Sequence, residues 1–172
     1  MKRRRCSWCG KLFYLEEKSK DVYCCKECRK KAKKVKKMKV FLVIDGEPVG
    51  KERPRFNLAT KRTYTPNKTK NYEELIKWLY QSKVKHYFEG YIKMTLRCYY
   101  SIAKSNSKKV KEQKRNNVIR PSKKPDIDNV VKIIADSLNE IAYKDDTQIV
   151  EIVASKYYSD KPRVEVILED VI

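Results

Sequence analysis

From Val40 onward, apolar and polar positions recur with the two periods of a packed domain. VFLVID (40–45) is an unbroken apolar run closed by an acid and a glycine, which predicts a buried strand. GEPVGKERPRFNLATKRTYTP (46–66) is rich in turn residues, with a short strand expected over 61–64. Asn71 followed by Glu74 has the spacing of an N-cap and its N3 partner. Tyr72, Leu75, Ile76, Leu79, Tyr80 and Val84 then repeat at helical intervals. YIKMTLRCYYSI (91–102) alternates cleanly, placing Ile92, Met94, Leu96, Cys98, Tyr100 and Ile102 on one face of a strand. Residues 103–124 hold nine basic residues and one acid and are expected to form a mobile basic loop. A helix follows from about Asp128 to Ile141, with Val130, Ile134, Leu138 and Ile141 on its apolar stripe. Two closing strands, 148–158 and 163–168, flank a turn at 159–162. The fold class is α+β, a small mixed β-sheet packed with helices.

The first 38 residues have another character. Residues 1–30 are rich in cysteine and show no sustained period, and RKKAKKVKKMK (29–39) is a basic connector, either the end of a helix or a linker. We therefore divide the chain into a cysteine module with its linker (1–38) and a second domain (39–172). Cys6-Ser-Trp-Cys9-Gly10 reads as a knuckle turn, and Cys24-Cys25-Lys-Glu-Cys28 leads into a basic helical stretch. Two close cysteine pairs about 15 residues apart suit tetrahedral Zn²⁺. Disulfides are the alternative, and nothing at the N-terminus reads as a secretory signal that would favour them. The pattern CxxCGKxF…YCxxECRKK resembles small treble-clef zinc modules. That resemblance implies Cys6, Cys9, Cys24 and Cys28 as ligands of a structural Zn²⁺, with a Cys25–Cys28 pair as the other assignment. Cys98 falls on the apolar face of its strand and is read as core.

Charge narrows the function. The chain of 172 residues carries a formal net charge of +20, with 42 Lys+Arg against 22 Asp+Glu. Such a balance calls for a polyanionic partner. No window approaches the ~20 apolar residues of a membrane span, and a cytoplasmic location is expected. With 4 glycines and no phosphate-cradling motif, no nucleotide cofactor is expected, and a single histidine, His86, excludes zincin chemistry. The basic excess is uneven. Residues 1–39 have a net charge of +12 and residues 40–124 of +14, whereas residues 125–172 have −6. Carboxylates concentrated in a nucleic-acid binder repel phosphate unless divalent cations sit among them.

The acids are ordered, in KKPDIDNVVKIIADSLNEIAYKDDTQIV (123–150). Asp126 and Asp128 are two apart, so an extended approach to the helix points both the same way. Lys132 and Asp136 follow Asp128 at four-residue steps, opposite the apolar stripe. Asp145 and Asp146 come after the helix, where a turn can fold them back beside the first pair. Clustered carboxylates cost several kcal/mol unless a cation neutralises them, and Mg²⁺ suits an all-oxygen set. Taken singly, each acid reads equally as a helix N-terminal or turn residue.

Two motifs together resemble the RusA family of Holliday-junction resolvases. One is GEPVGKERPR (46–55) with YTP (64–66) and a following helix. The other is KPDIDNVVK (124–132) with Asp136, YKDD (143–146) and Lys156. The resemblance spans 40–172 and implies a small homodimer that binds four-way DNA and nicks opposing strands with Mg²⁺, in recombination and repair, in bacteria and prophages. It implies Asp126, Asp128 and Asp146 as metal-binding carboxylates and Lys132 as essential. Lys51, Arg53, Arg55, Lys68, Lys123, Lys124 and Lys156 are then expected to contact backbone phosphates. Two other readings remain: a zinc-dependent nucleic-acid binder without enzymatic activity, and a nuclease for other branched DNA.

Overall fold

The computed structural model describes residues 1–34, 38–58 and 61–171. The chain divides into two compact units, Met1–Lys37 and Met38–Ile172. Part of the basic connector, residues 35–37, lies outside the described residues.

The first unit is more regular than its sequence predicts. Strands β1 (Lys2–Arg5) and β2 (Leu12–Leu15) pair antiparallel, and helix α1 spans Lys26–Lys34. KRRR has no apolar alternation to announce a strand. The hairpin is set instead by the knuckle between the strands, where Cys6 N–H donates to Lys11 O and Gly10 N–H to Cys6 O, both at 2.9 Å. Gly10 sits at φ +70°, a conformation costly to any residue with a Cβ.

The second unit is the expected α+β domain. Strands β3 (Lys39–Asp45), β6 (Tyr91–Ser101), β7 (Ile149–Ser159) and β8 (Arg163–Val171) form a mixed sheet in the order β3-β8-β6-β7. The short strands β4 (Arg55–Asn57) and β5 (Arg62–Tyr64) form a separate two-stranded ribbon. Among these strands the pairings are antiparallel except β6 with β7. Helix α2 runs Asn67–Lys83, α3 Lys108–Arg115 and α4 Ile127–Leu138, with a single 3₁₀ turn at Asp146–Gln148.

One sheet face carries the core. Leu42, Ile44, Met94, Leu96, Cys98, Val164 and Val166 are buried on it together with Tyr72, Ile76 and Tyr80 of α2 and Val130, Ile134 and Leu138 of α4. The opposite face is open and polar at one end. There Arg163, Tyr99, Tyr157 and Arg120 stack in sequence across β8, β6 and β7. Each guanidinium lies about 4 Å from a ring, and the two rings are 5.4 Å apart.

Three elements depart from the sequence reading. The basic loop contains α3, capped by Ser107, whose hydroxyl accepts from Val110 N–H, and closed by Lys114 and Arg115 in the last turn. This helix buries no residue, so it has no apolar stripe to reveal it. Helix α2 begins one turn earlier than Asn71 because Pro66 O accepts from Thr69 and Lys70 and the buried Thr69 extends the packed face. Helix α4 stops at Leu138 because Glu140 turns at φ +63° and its N–H bonds to Tyr143 O.

Truncating Ile134, fully buried between helix and sheet, to alanine should cost about 2–5 kcal/mol in urea unfolding. Val153→Ala, on the open face, should shift stability by about 0.5 kcal/mol or less.

Candidate active site

The segment Lys124–Asn129 carries the first acidic pair, and its backbone is gripped from two sides. Tyr100, buried near the end of β6, donates its hydroxyl to Pro125 O at 3.2 Å. Lys156 of β7 occupies an inward position opposite Cys98, where an ammonium is out of place without acceptors. It finds two, donating to Pro125 O at 2.7 Å and Lys123 O at 2.9 Å. Arg120 Nε in turn donates to Lys156 O at 2.6 Å.

On the other side stands the loop after β3. A Cβ on Gly50 would fall 2.7 Å from Pro125 Cβ and 3.1 Å from Asn129 Cβ, so contact, not backbone conformation, requires glycine here. The next residue, Lys51, donates its N–H to Asn129 O at 2.9 Å. Its ammonium donates to Asp136 of α4 and stands 3.1 Å from Glu73 Oε1 of α2, in ion-pair contact but outside hydrogen-bond alignment. Burial lowers the Lys51 pKa, but the contacts with Asp136 and Glu73 outweigh it, and the net shift is upward. The contribution of this pairing is complete below the ordinary lysine range and is lost only as pH rises through the raised value. Neither Lys51 nor Lys156, both expected at DNA phosphates, turns a free ammonium to solvent.

The acids fall into two groups. Asp126 is the N-cap residue of α4, with extended backbone, yet its carboxylate caps no N–H. Asp128 lies in the first turn and is exposed. Among the described residues, neither is in an ion pair. Within the second acidic pair, Asp145 is consumed by a capping box. Its Oδ1 accepts from Thr147 N–H at 3.0 Å, and Gln148 Oε1 accepts from Lys144 and Asp145 N–H. Gln148 Nε2 also donates to Phe88 O and Gly90 O, tying this turn to the loop before β6. The Thr147 contact holds the Asp145 carboxyl below its usual range, so its contribution is present above the ordinary aspartate range and lost as pH falls through the lowered value. Asp146 caps no N–H of this turn and, among the described residues, is in no ion pair. Asp146 opens the 3₁₀ turn, which packs against α4; burial pushes the nearby Tyr143 phenol up, and the charges of Asp146 and Asp136 add to this.

A cavity of about 420 Å³ opens beside Asp126, lined by Gly50, Lys51, Lys68, Lys124 and Asn129 among others. Arg53, Arg55 and Lys123 are exposed. Lys132 is also exposed, one helical turn beyond Asp128. The carboxylates of Asp126, Asp128 and Asp146 are not within 4.8 Å of one another; among the described residues only the cysteines form such a set. Carboxylates without internal partners are nonetheless the hard oxygen donors that Mg²⁺ takes. Sequence reading missed Gly50 and Tyr100 as determinants of this site; a glycine next to a lysine expected at DNA phosphates and a tyrosine on the apolar face of its strand were the available signals.

A sequence profile described as Endodeoxyribonuclease RusA matches residues 45–169. The chain belongs to the RusA family. A Bacillus subtilis (strain 168) protein described as "Uncharacterized protein YqaN" is 38% identical over 137 residues, 77% of this chain and 96% of that protein. The RusA match runs from the end of β3 into β8 and contains every acid and base of the site just described. The family is one of endodeoxyribonucleases, so this part of the chain is a nuclease domain.

The cysteine unit lies outside the RusA match. Cys6, Cys9, Cys24 and Cys28 bring their sulfurs within 4.8 Å of one another, and Cys9–Cys24 and Cys24–Cys28 are each 3.5 Å apart. These separations are too long for disulfides and close to the roughly 3.8 Å edge of a tetrahedron with Zn–S of ~2.3 Å. Cys25 is not in the set; its sulfur accepts from Cys28 N–H at 3.4 Å. Burial pushes the Cys6 thiol up, but backbone contacts from Cys9, Cys24 and Trp8 outweigh it and bring it down to about 6.

Gly50→Ala should push the Lys124–Asn129 segment outward. DNA cleavage is expected to fall at least ~10-fold, measured beside a thermal midpoint lowered by only a few degrees. Unchanged cleavage would show that the close contact does not position the acids.

Proposed function

We propose that this RusA-family chain is a Mg²⁺-dependent endonuclease that resolves four-way DNA junctions by paired nicks, serving recombination and repair in the cytoplasm of a bacterial or phage-infected cell. The observation that carries this reading is the division of labour among the acids. Asp136 is ion-paired and Asp145 caps a turn, whereas among the described residues Asp126, Asp128 and Asp146 have no cationic partner, and Asp126 lines a cavity that also exposes Lys68 and Lys124.

Asp126, Asp128 and Asp146 would hold Mg²⁺, which when bound supplies a Lewis acid for the phosphate and acidifies a water. The remaining roles belong to the chain. Lys132 opposes the negative charge that grows on the phosphate during attack. Lys68, Lys124 and Lys123 hold neighbouring phosphates, with Arg53 after β3 and Arg55 at the start of β4, and these contacts position DNA without reading its sequence. Lys51 and Lys156 act through the backbone they fasten. Each chain carries one set of acids, so paired nicks on opposing strands call for two copies, a homodimer. The cysteine unit holds a structural Zn²⁺, since four thiolates leave no open coordination position.

The reading is tested with a synthetic four-way junction and Mg²⁺, scored for symmetric paired nicks. Asp128→Asn and Asp146→Asn should each abolish cleavage while junction binding is retained or tightened, because a repelling charge is removed. Asp145→Asn should cleave within about threefold of the parent, since an asparagine side chain still caps the turn. Equal losses at 145 and 146 would sink the division of labour, and cleavage confined to flaps would redirect the substrate to other branched DNA.

Elemental analysis of the full chain should find about one zinc per chain, lost or sharply reduced in Cys9→Ser with no effect on Mg²⁺ affinity. A chain purified without zinc and unresponsive to added zinc would reject the metal assignment.

A further inference from the structure

The ribbon formed by β4 and β5 is an apolar feature of this basic protein that the site does not use. Phe56 is 57% exposed, Leu58 85% and Tyr64 46%, within a stretch that also exposes Arg53, Arg55, Lys61 and Arg62. In register, Arg55 faces Tyr64 and Phe56 faces Thr63, so one side of the ribbon shows Arg55 and Tyr64 and the other Phe56. Neither side is covered by the core. A two-stranded ribbon is marginally stable alone, and leaving a Phe in water forgoes most of the ~1.5–3 kcal/mol its burial would yield. Such a ribbon is built to be covered by something else.

Its position limits what that is. The ribbon's first strand begins four residues after Lys51, whose N–H holds Asn129, so at most about 14 Å of chain separates them. Its second strand ends at Tyr64, three residues before α2, whose Lys68 lines the cavity beside Asp126. Both roots of the ribbon therefore lie at the rim of the site. The acid next to the ribbon in the chain, Glu52, is paired with Arg55 at 3.0 Å, and from Arg53 to Tyr64 there are four cations and no acid. A protein partner would need a matching acidic surface. DNA held in the neighbouring cavity supplies phosphates for the four cations and, where strands part, base faces for the apolar side chains.

We propose that the ribbon is a wedge for the branch point: Phe56 and Leu58 pack against bases unstacked at the crossover while Arg53, Arg55, Lys61 and Arg62 hold the flanking phosphates. This rests on the junction-resolving reading above and adds to it the element that distinguishes a branch from a continuous duplex. Apolar side chains inserted at base steps are a general way to favour DNA that is already opened.

The test uses the full-length protein without Mg²⁺ and a four-way junction carrying 2-aminopurine either at the branch point or well inside one arm. Wild type should brighten the branch-point probe and leave the arm probe unchanged. Phe56→Ala with Leu58→Ala should abolish most of that response and reduce the preference for junction over duplex by roughly tenfold, the scale of one lost base-stacking contact. Phe56→Trp should restore it. Because these side chains are in solvent, the thermal midpoint should not move. Retention of both response and preference in the double variant overturns the wedge, as does an equal loss of junction and duplex binding, which would make the ribbon a general duplex clamp. Junction cleavage by wild type with Mg²⁺ is scored in parallel. Its absence with the fluorescence response intact would remove the resolvase reading and leave the wedge standing.

Discussion

The carbonyl oxygen of Pro125 is the point from which the site hangs. It receives hydrogen bonds from Tyr100 and Lys156, which belong to the two strands that run parallel, β6 and β7. Parallel neighbours cannot be joined by a hairpin, so the chain must leave the end of one and cross back to the start of the other. That crossing contains α3, the Lys124–Asn129 segment and α4. Sheet topology thus brings the acidic segment past the C-terminal halves of both strands, where ligand sites of parallel sheets commonly lie. The Lys51 N–H holds the segment from its other end, at Asn129 O, so the two donors on Pro125 fix the part that precedes Asp126.

Much of this was legible in the sequence because burial leaves a period. Ile92 to Tyr100 alternate in the chain and are buried alternately in the fold, and Val130, Ile134 and Leu138 do the same at helical spacing. The cysteine set was legible because close pairs at the right separation have few geometric outcomes. What escaped was decided by contacts without a period. Helix α3 rests on one serine cap and has no buried face. Gly50 is required by the approach of Pro125 and Asn129, more than 70 positions later in the chain. Lys51 and Lys156 look, as letters, like any other surface cation; only three-dimensional neighbours show that Lys51 is paired with acids and that Lys156 is tied to backbone carbonyls.

The same consideration changes the meaning of the large positive charge. Part of it is structural. Arg115 is paired with Asp160, Arg163 with Glu165, Lys93 with Glu151 and Lys39 with Glu169. Lys114, Arg120 and Arg163 lie over tyrosine rings. The abundance of tyrosine over phenylalanine, 12 against 4, fits this arrangement, since an aromatic face attracts a cation without adding a negative charge that would repel phosphate.

The capping box at the second acidic pair has a consequence for how the sequence can drift. Position 145 needs only a short side chain able to accept one N–H, so serine, threonine or asparagine can replace aspartate during divergence. Position 148 is far less permissive. Its amide accepts two backbone N–H groups with its oxygen and donates to two carbonyls with its nitrogen. Glutamate, a single-atom change, would turn an anion toward the carbonyls of Phe88 and Gly90, and lysine would lose the acceptor. Related chains should therefore tolerate variation in the first acid of the pair while retaining the glutamine three residues later, an inversion of what charge alone would suggest.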